Sequence, residues 1–248
     1  MKVRSARLAA ILGFMVLFFG VAGYGQDVTM KYLSPLNPSV VWNNTAYAGI
    51  YNGQIDGAPA QIICDDFQDQ IYPGENWKAS VLNISALGNP ASTQLFNSTM
   101  FGATIGASGY AQVAYLVSQM FTYGSSGKNQ TLPTLQGVSG LTLADLSAVV
   151  WAITDPGFSG LSSRESNLLS AMQGLWTDTA SAQVYLSEFS NLWLYTPDPN
   201  MHGGAQEMWS TLGAAEGGAG LLYLLLTAAL CCGAVFFGKA LIKAPKLP

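Results

Sequence analysis

Hydrophobic residues between positions 28 and 100 fall in short runs separated by turn-forming residues. The runs span 40–42, 46–51, 60–67 and 79–87, with Asn-Gly, Asp-Gly, Pro-Gly and Asn-Pro pairs near their ends. Aromatic and β-branched residues suit a pleated, half-buried surface, and such pairs form tight turns. The pattern predicts antiparallel strands, with a hairpin over 47–57 that turns at Asn52-Gly53 and a second turn at Asp56-Gly57 before the next strand.

The spacing of apolar residues becomes helical in the second half of the chain. Residues 110–121 carry apolar side chains three and four positions apart and are followed by Gly124, which predicts a helix with a glycine at its end. Thr142 and Asp145 have the spacing of a capping box, and the helix they begin is stopped by Asp155-Pro156-Gly157. Further elements are expected as helices over 164–175 and 178–189, a strand over 191–196 and its hairpin partner over 205–209.

Both ends of the chain contain an uncharged apolar run. The first run, over 8–21, follows three basic residues and precedes Gly23 and Gly25, which is the arrangement of a secretory signal peptide. An uncleaved signal anchor is the alternative. The second run, over 219–238, precedes Lys239, Lys243 and Lys246, which predicts a transmembrane helix with its basic end in the cytoplasm.

These patterns predict an α+β fold: an antiparallel β-rich half, then a helical segment and a closing strand, plus one C-terminal transmembrane helix. The expected organisation is a signal peptide at 1–25, an extracytoplasmic domain at 26–202, a Gly/Ala linker at 203–218, the transmembrane helix at 219–238 and a cytoplasmic tail at 239–248. The expected localisation is export, with the domain outside the cytoplasm and the membrane contacted through the C-terminal helix.

The charge of the expected extracytoplasmic part is strongly negative. Four basic residues in 26–218 stand against 14 acidic residues, so the net charge there is −10. Nucleic acid is therefore not an expected partner. Half of all residues are hydrophobic, which favours a folded domain over a disordered one.

Cys64 is the only cysteine outside the apolar ends, because Cys231 and Cys232 lie in the second run. A single exported cysteine forms no intramolecular disulfide. Its neighbours Asp65 and Asp66 are expected to raise the pKa of the thiol and weaken it as a nucleophile. We expect Cys64 to be a buried core residue, with pairing to another chain or a reactive thiol as alternatives.

Two kinds of chemistry are candidates for the acidic stretch around Cys64. Asp65, Asp66 and Asp69 are weak metal candidates, since carboxylates suit calcium but the glycine and distal glutamate of a calcium loop are absent. A Cys64–His202 hydrolase is the remote enzymatic alternative, since His202 is the only histidine, but no nucleophile motif surrounds Cys64. We expect neither an enzyme nor a bound cofactor.

Residues 63–67 read Ile-Cys-Asp-Asp-Phe. Later in the chain, residues 148–151 read Ala-Val-Val-Trp and are followed by Asp-Pro-Gly at 155–157. This order resembles exported bacterial proteins of the PEP-CTERM type. It also resembles the thioester domain of surface adhesins, in which a strand cysteine is joined to the glutamine of a Thr-Gln-x-Ala-Ile-Trp helix. With Trp151 on the motif's tryptophan, Leu146 and Ser147 occupy the Thr-Gln positions, so the acyl donor is missing. The resemblance then implies a shared scaffold with Cys64 and Trp151 in its core.

A sorting motif is expected at Ala215, Glu216, Gly217 and Gly218, because these residues precede the apolar run as the motif does in PEP-CTERM tails. The resemblance implies recognition by a sorting enzyme of the exosortase type, although the Pro-Glu-Pro core is absent. The expected function is that of an exported, non-enzymatic bacterial surface protein with a structural or adhesive role. Its expected ligand lies in the envelope or an exopolysaccharide matrix. The alternative is a module that bonds covalently to a partner through Cys64.

Overall fold

Six antiparallel strands close into a barrel in the computed structural model, which describes residues 27–90, 93–128, 130–198 and 205–213. The strands in chain order are β1 (Asp27–Pro35), β2 (Val41–Trp42), β3 (Ala46–Tyr47), β4 (Tyr51–Ile55), β5 (Ala58–Cys64), β6 (Asn76–Asn83), β7 (Trp193–Pro197) and β8 (Met208–Ser210). The order around the barrel is β1-β4-β5-β8-β7-β6, and β2 pairs with β3 in a separate hairpin.

Alternation of buried and exposed residues explains why these strands enclose a core. In β1, Val28, Met30 and Tyr32 are buried while their neighbours are more exposed. Since successive side chains of a strand point to opposite faces, one face of β1 turns into the barrel. Register supports the same arrangement, with Met30 opposite Trp77 on β6 and Val81 of β6 opposite Tyr195 on β7.

A layer of helices packs beside the barrel, and its four longer helices lie where the sequence predicts helices. The helices are α1 (Ile84–Leu87), α2 (Thr93–Phe96), α3 (Gly102–Gly124), α4 (Leu143–Thr154), α5 (Ser163–Gln173) and α6 (Thr179–Leu186). The four predicted helices are confirmed as α3 to α6, and α3 packs against both α4 and α6. The capping box that begins α4 is also confirmed, with Thr142 N donating to Asp145 Oδ2 (2.7 Å).

The predicted turn at Asn52-Gly53 is wrong, because both residues lie inside β4. The hairpin turns at Asp56-Gly57 instead, where both residues have positive φ (50° and 82°). A Cβ on Gly53 would lie 2.7 Å from Ile62 Cδ1, so glycine allows the neighbouring strand to approach closely here. The Asn-Gly pair therefore serves packing and not a turn.

The predicted strand over 79–87 is correct only in its first part. Strand β6 ends at Asn83, whose Oδ1 accepts a hydrogen bond from Ser85 N (3.0 Å) and thereby caps the short helix α1. Asparagine is a favourable N-cap residue because its side chain satisfies a free backbone N–H of the first turn. The local cap overrides the apolar run that continues through Leu87.

The α+β class is confirmed, but the expected arrangement of the sheet is wrong. The predicted strand over 191–196 and its hairpin partner over 205–209 are present as β7 and β8, and they close the sheet of the first half into a barrel. Among the described residues, no helix is long and apolar enough to cross a membrane. The run over 219–238, on which the transmembrane helix was predicted, lies outside the described residues, as does the signal peptide at 1–25.

Candidate functional site at the end of strand β5

Three parts of the chain meet where β5 ends. Cys64 pairs with Met208 of β8, and the backbone N–H of Asp65 donates to the Glu207 carbonyl (3.4 Å). Helix α4 reaches the same place, where Thr154 Oγ1 donates to the Asp65 carbonyl (2.5 Å). The acidic stretch after β5 is therefore held from both sides by residues far away in the sequence.

Cys64 is sealed inside this junction. The residue is 3 % exposed, its Sγ donates to the Asp66 carbonyl (2.8 Å), and the same sulfur accepts from Asp66 N (3.3 Å). Burial raises the pKa of the Cys64 thiol well above its usual 9.0, and the nearby carboxylates of Asp66 and Asp65 raise it further. A protonated and enclosed thiol is a poor nucleophile, since the thiolate is the reactive form. The expected burial of Cys64 is confirmed.

Glu207 is a fully buried carboxylate with several donors around it. Its Oε1 accepts from the Tyr110 hydroxyl (2.7 Å), and its Oε2 accepts from Met100 N (2.9 Å) and Thr196 Oγ1 (2.5 Å). These donors come from helix α3, the loop before it and strand β7. The three hydrogen bonds stabilise the ionised form, although burial still raises the pKa of Glu207 above its usual value.

Asp65 lies beside Glu207 and is equally buried. Its Oδ2 accepts from Trp209 Nε1 (2.6 Å), while its Oδ1 has no other partner among the described residues. Burial raises the pKa of Asp65 well above its usual value, and the charge of Glu207 raises it further. Two carboxyl groups buried side by side favour a state in which the pair holds one proton.

Asp66 shapes the loop that leaves the junction. Its Oδ1 accepts from Gln68 N (2.8 Å) and Asp69 N (3.4 Å), which is a turn built on an aspartate side chain. Burial raises the pKa of Asp66 to about 6. The structure adds no support for Asp65, Asp66 and Asp69 as metal ligands. The described residues contain no cluster of three His, Cys, Asp or Glu side chains arranged to hold a metal ion.

Gln206 is a residue of this junction that the sequence analysis missed. Its side chain is buried, and its Nε2 donates to the carbonyls of Asp66 (3.1 Å) and Asp69. The Asp66 carbonyl is also the acceptor of the Cys64 thiol, so a carboxamide and the thiol share one oxygen. The only signal in the sequence was the predicted hairpin partner over 205–209, whose pairing with β5 follows from closing the barrel.

The residues at the thioester-motif positions of α4 are buried and have partners within the protein. Ser147 stands where the acyl-donor glutamine would be, and its Oγ is buried and accepts from Gly49 N (2.8 Å). Trp151 is buried against Phe67, with ring centroids 5.1 Å apart. Gln112, a glutamine of helix α3, donates through its Nε2 to the Leu175 carbonyl, so it is no acyl donor for Cys64 in this arrangement.

Several predicted sites lie outside the described residues. His202 of the alternative Cys-His hydrolase is one of them, and so are Ala215, Glu216, Gly217 and Gly218 of the expected sorting motif.

Comparisons with protein families, with curated proteins and with solved structures give no match for this chain. The junction at the end of β5 is consequently interpreted from its own geometry.

Proposed function

We propose that this chain is an exported bacterial surface protein whose domain has a non-enzymatic, structural or adhesive role in the envelope or extracellular matrix. The observation that carries the proposal is the sealed junction at Cys64. A thiol with a raised pKa, enclosed between two strands and a helix, serves packing and hydrogen bonding better than attack on a substrate.

The surrounding polar groups support the same role. Asp65 and Glu207 are fully buried, and their partners come from β7, β8, α3 and α4. A catalytic acid and base need contact with a substrate, whereas these groups contact each other and the protein. Their effect is to hold the helical layer against the barrel.

A second candidate function is covalent bonding to a partner through Cys64, favoured by the position of Gln206. The Cys64 sulfur would add to the Gln206 side-chain carbonyl carbon, and the amide nitrogen would leave with the thiol proton as ammonia. The product is an internal thioester that a partner amine could open. Ser147 cannot take the place of Gln206 in this step, because a hydroxyl side chain has no acyl group.

Thiol labelling separates the two candidates. The full chain is treated with a maleimide before and after unfolding in guanidinium, and modification is read on the peptide that contains Cys64, with Cys64→Ser as the control. We expect no labelling of the folded protein and complete labelling of the unfolded one. Rapid labelling of the folded protein would contradict the structural role. No labelling in either state, with an intact mass short by one ammonia, would establish the thioester.

The export part of the proposal has its own test, the intact mass of the protein purified from its host. We expect a mature chain that begins near residue 26, and a chain end near 215–218 if a sorting enzyme of the exosortase type acts there. A chain that still contains residues 1–25 and is found inside the cytoplasm would overturn export.

A further inference from the structure

Four partly exposed aromatic side chains of the helical layer contact one another in a row, and each also packs on the hydrophobic core. We call Tyr115, Trp176, Tyr185 and Phe189 the aromatic ribbon. Trp176 stacks on Tyr185 with ring centroids 4.0 Å apart and an interplanar angle of 19°. Tyr115 lies 6.1 Å from Trp176, and Phe189 lies 5.0 Å from Tyr185.

The backbone at Trp176 is unusual for so large a residue. Its φ is +48°, a conformation that costs little for glycine and more for residues with a side chain. The strained backbone is held in place by Ser108 Oγ, which donates to the Trp176 carbonyl (2.5 Å). A tryptophan at a position that favours glycine is compensated by the contacts of the indole, which stacks on Tyr185 and packs on the core.

The ribbon also presents polar tips to solvent. Trp176 Nε1 and the Tyr185 hydroxyl have no hydrogen-bond partner among the described residues. Both atoms keep contact with solvent. Burial of the ring raises the pKa of Tyr185 to about 12, with smaller contributions from Tyr115 and Glu188, so the hydroxyl stays a neutral donor. Flat apolar faces edged by free N–H and O–H groups suit a ligand with both apolar and hydroxyl surfaces.

The charge around the ribbon restricts what it binds. The sequence from 165 to 238 contains no lysine or arginine, and Arg164 is engaged by Asp145 (2.9 Å). Glu188 is exposed beside Tyr185. The segment that carries Trp176, Tyr185 and Phe189 therefore offers no cation to an anionic polymer, which the net negative charge of the domain would also repel.

We propose that the aromatic ribbon binds a neutral polysaccharide, with the C–H face of one hexose unit on the exposed part of the Trp176–Tyr185 stack. Burial of that apolar face supplies the attraction, while the indole N–H and the tyrosine hydroxyl bind sugar hydroxyls. This inference rests on the proposed function in one point: the polysaccharide is the matrix ligand that an adhesive protein would bind.

The test is calorimetric titration of the full chain with three hexasaccharides: cellohexaose, maltohexaose and oligogalacturonate as the anionic control. We expect binding of at least one neutral chain and none of the anionic one. Trp176→Ala should weaken that binding by about tenfold or more, as loss of a central aromatic contact does. Tyr72→Ala, which removes an aromatic side chain that is 60 % exposed on the loop after β5, should leave it unchanged.

A second variant guards against misfolding. Trp176→Gly removes the indole and relieves the positive φ, so the turn is retained, and thermal melting verifies the fold. Absence of binding to both neutral chains, or equal binding by Trp176→Gly and the unchanged protein, would overturn the proposal. A Trp176-dependent dimer in sedimentation would also overturn it, by showing that a second copy covers the ribbon. None of these results alters the labelling of Cys64 or the export test, so the two proposals fail separately.

Discussion

Asp65 and Glu207 are two adjacent carboxyl groups in a fully buried place, where two negative charges would be very unfavourable. One shared proton removes one of the charges. Tyr110, Thr196 and Met100 N donate to Glu207, and they disperse the charge that remains. At the residue scale, protonation of the buried pair therefore stabilises the junction.

This proton makes stability depend on pH. The folded-state pKa values of Asp65 and Glu207 are raised by burial, and that of Asp66 is raised to about 6. The folded protein thus binds these protons more tightly than the unfolded chain, whose carboxyls titrate near 4. Their stabilising contribution is fully present below the unfolded values and is lost as the pH rises through the folded ones. We expect a lower urea midpoint at about pH 8 than at about pH 5.

A matched pair of variants checks the assignment to Asp65. Asp65→Asn keeps the shape of the side chain but carries no titrating proton, so its urea midpoint should change less between the two pH values. Asp27→Asn, at an exposed carboxylate in β1, should behave like the unchanged protein. A midpoint that rises with pH in the unchanged protein would contradict the shared-proton interpretation.

Helix α4 is the element that connects the barrel to the helical layer. One face of it carries Ser147, which accepts from Gly49 N before β4, and Thr154, which donates to the Asp65 carbonyl after β5. Residues seven apart lie on the same side of a helix after two turns, so both contacts face the barrel. The start of this helix decides whether both contacts are in place.

The capping box of α4 should consequently be measurable in stability. Thr142→Ala removes the side chain that caps Asp145 N and should lower the free energy of unfolding by about 1 kcal/mol. Asp145→Ala should have a larger effect, because it removes the reciprocal bond to Thr142 N and the contact with Arg164 together.

Arg164→Ala is the control for the ion pair, since its side chain is 44 % exposed and such a pair is expected to contribute less than about 1 kcal/mol. Denaturant unfolding of the three variants measures the differences. A larger loss in Arg164→Ala than in Asp145→Ala would show that the ion pair, and not the cap, matters.

At the scale of the whole molecule, closure of the barrel depends on a three-residue strand. Strand β8 pairs with β5 on one side and β7 on the other, and it carries the buried residues Met208 and Trp209. Without β8 the sheet has two open edges, and Asp65 loses its contact with Trp209.

Truncation tests this dependence. A chain ending at residue 213, where one compact unit of the chain ends, should unfold cooperatively at the same temperature as the full chain. A chain ending at residue 204 should lose cooperative unfolding, because β5 and β7 lose their common neighbour. Circular dichroism melts compare the two, and a cooperative melt of the shorter chain would show that β8 is dispensable.

Much of the local structure could be predicted from the sequence. Helices α3 to α6, the Thr142 capping box and the burial of Cys64 all follow from apolar spacing and nearest neighbours. Predictions from neighbouring residues were wrong where a contact with a distant strand determined the local structure. Gly53 was assigned to a turn, although its absent side chain makes room for Ile62 on the neighbouring strand.

The candidate site was only half visible in the sequence. The Ile-Cys-Asp-Asp-Phe run pointed to Cys64 and Asp65, but nothing near them pointed to Gln206 or Glu207, since Gln206 lies 140 residues from Asp66. Carboxyl groups and amides occur throughout the chain. No spacing rule selects Gln206 and Glu207 as the ones that the closed barrel places at this junction.

The sequence by itself determined helices α3 to α6 and the presence of a buried cysteine strand, because helix periodicity, caps and apolar runs act over a few residues. The tertiary structure alone decided that β7 and β8 close a barrel, that Asp65 and Glu207 are buried side by side and that Trp176 stacks on Tyr185. Strand neighbours and the burial of charge depend on which distant segments meet, and that meeting is a property of the whole fold.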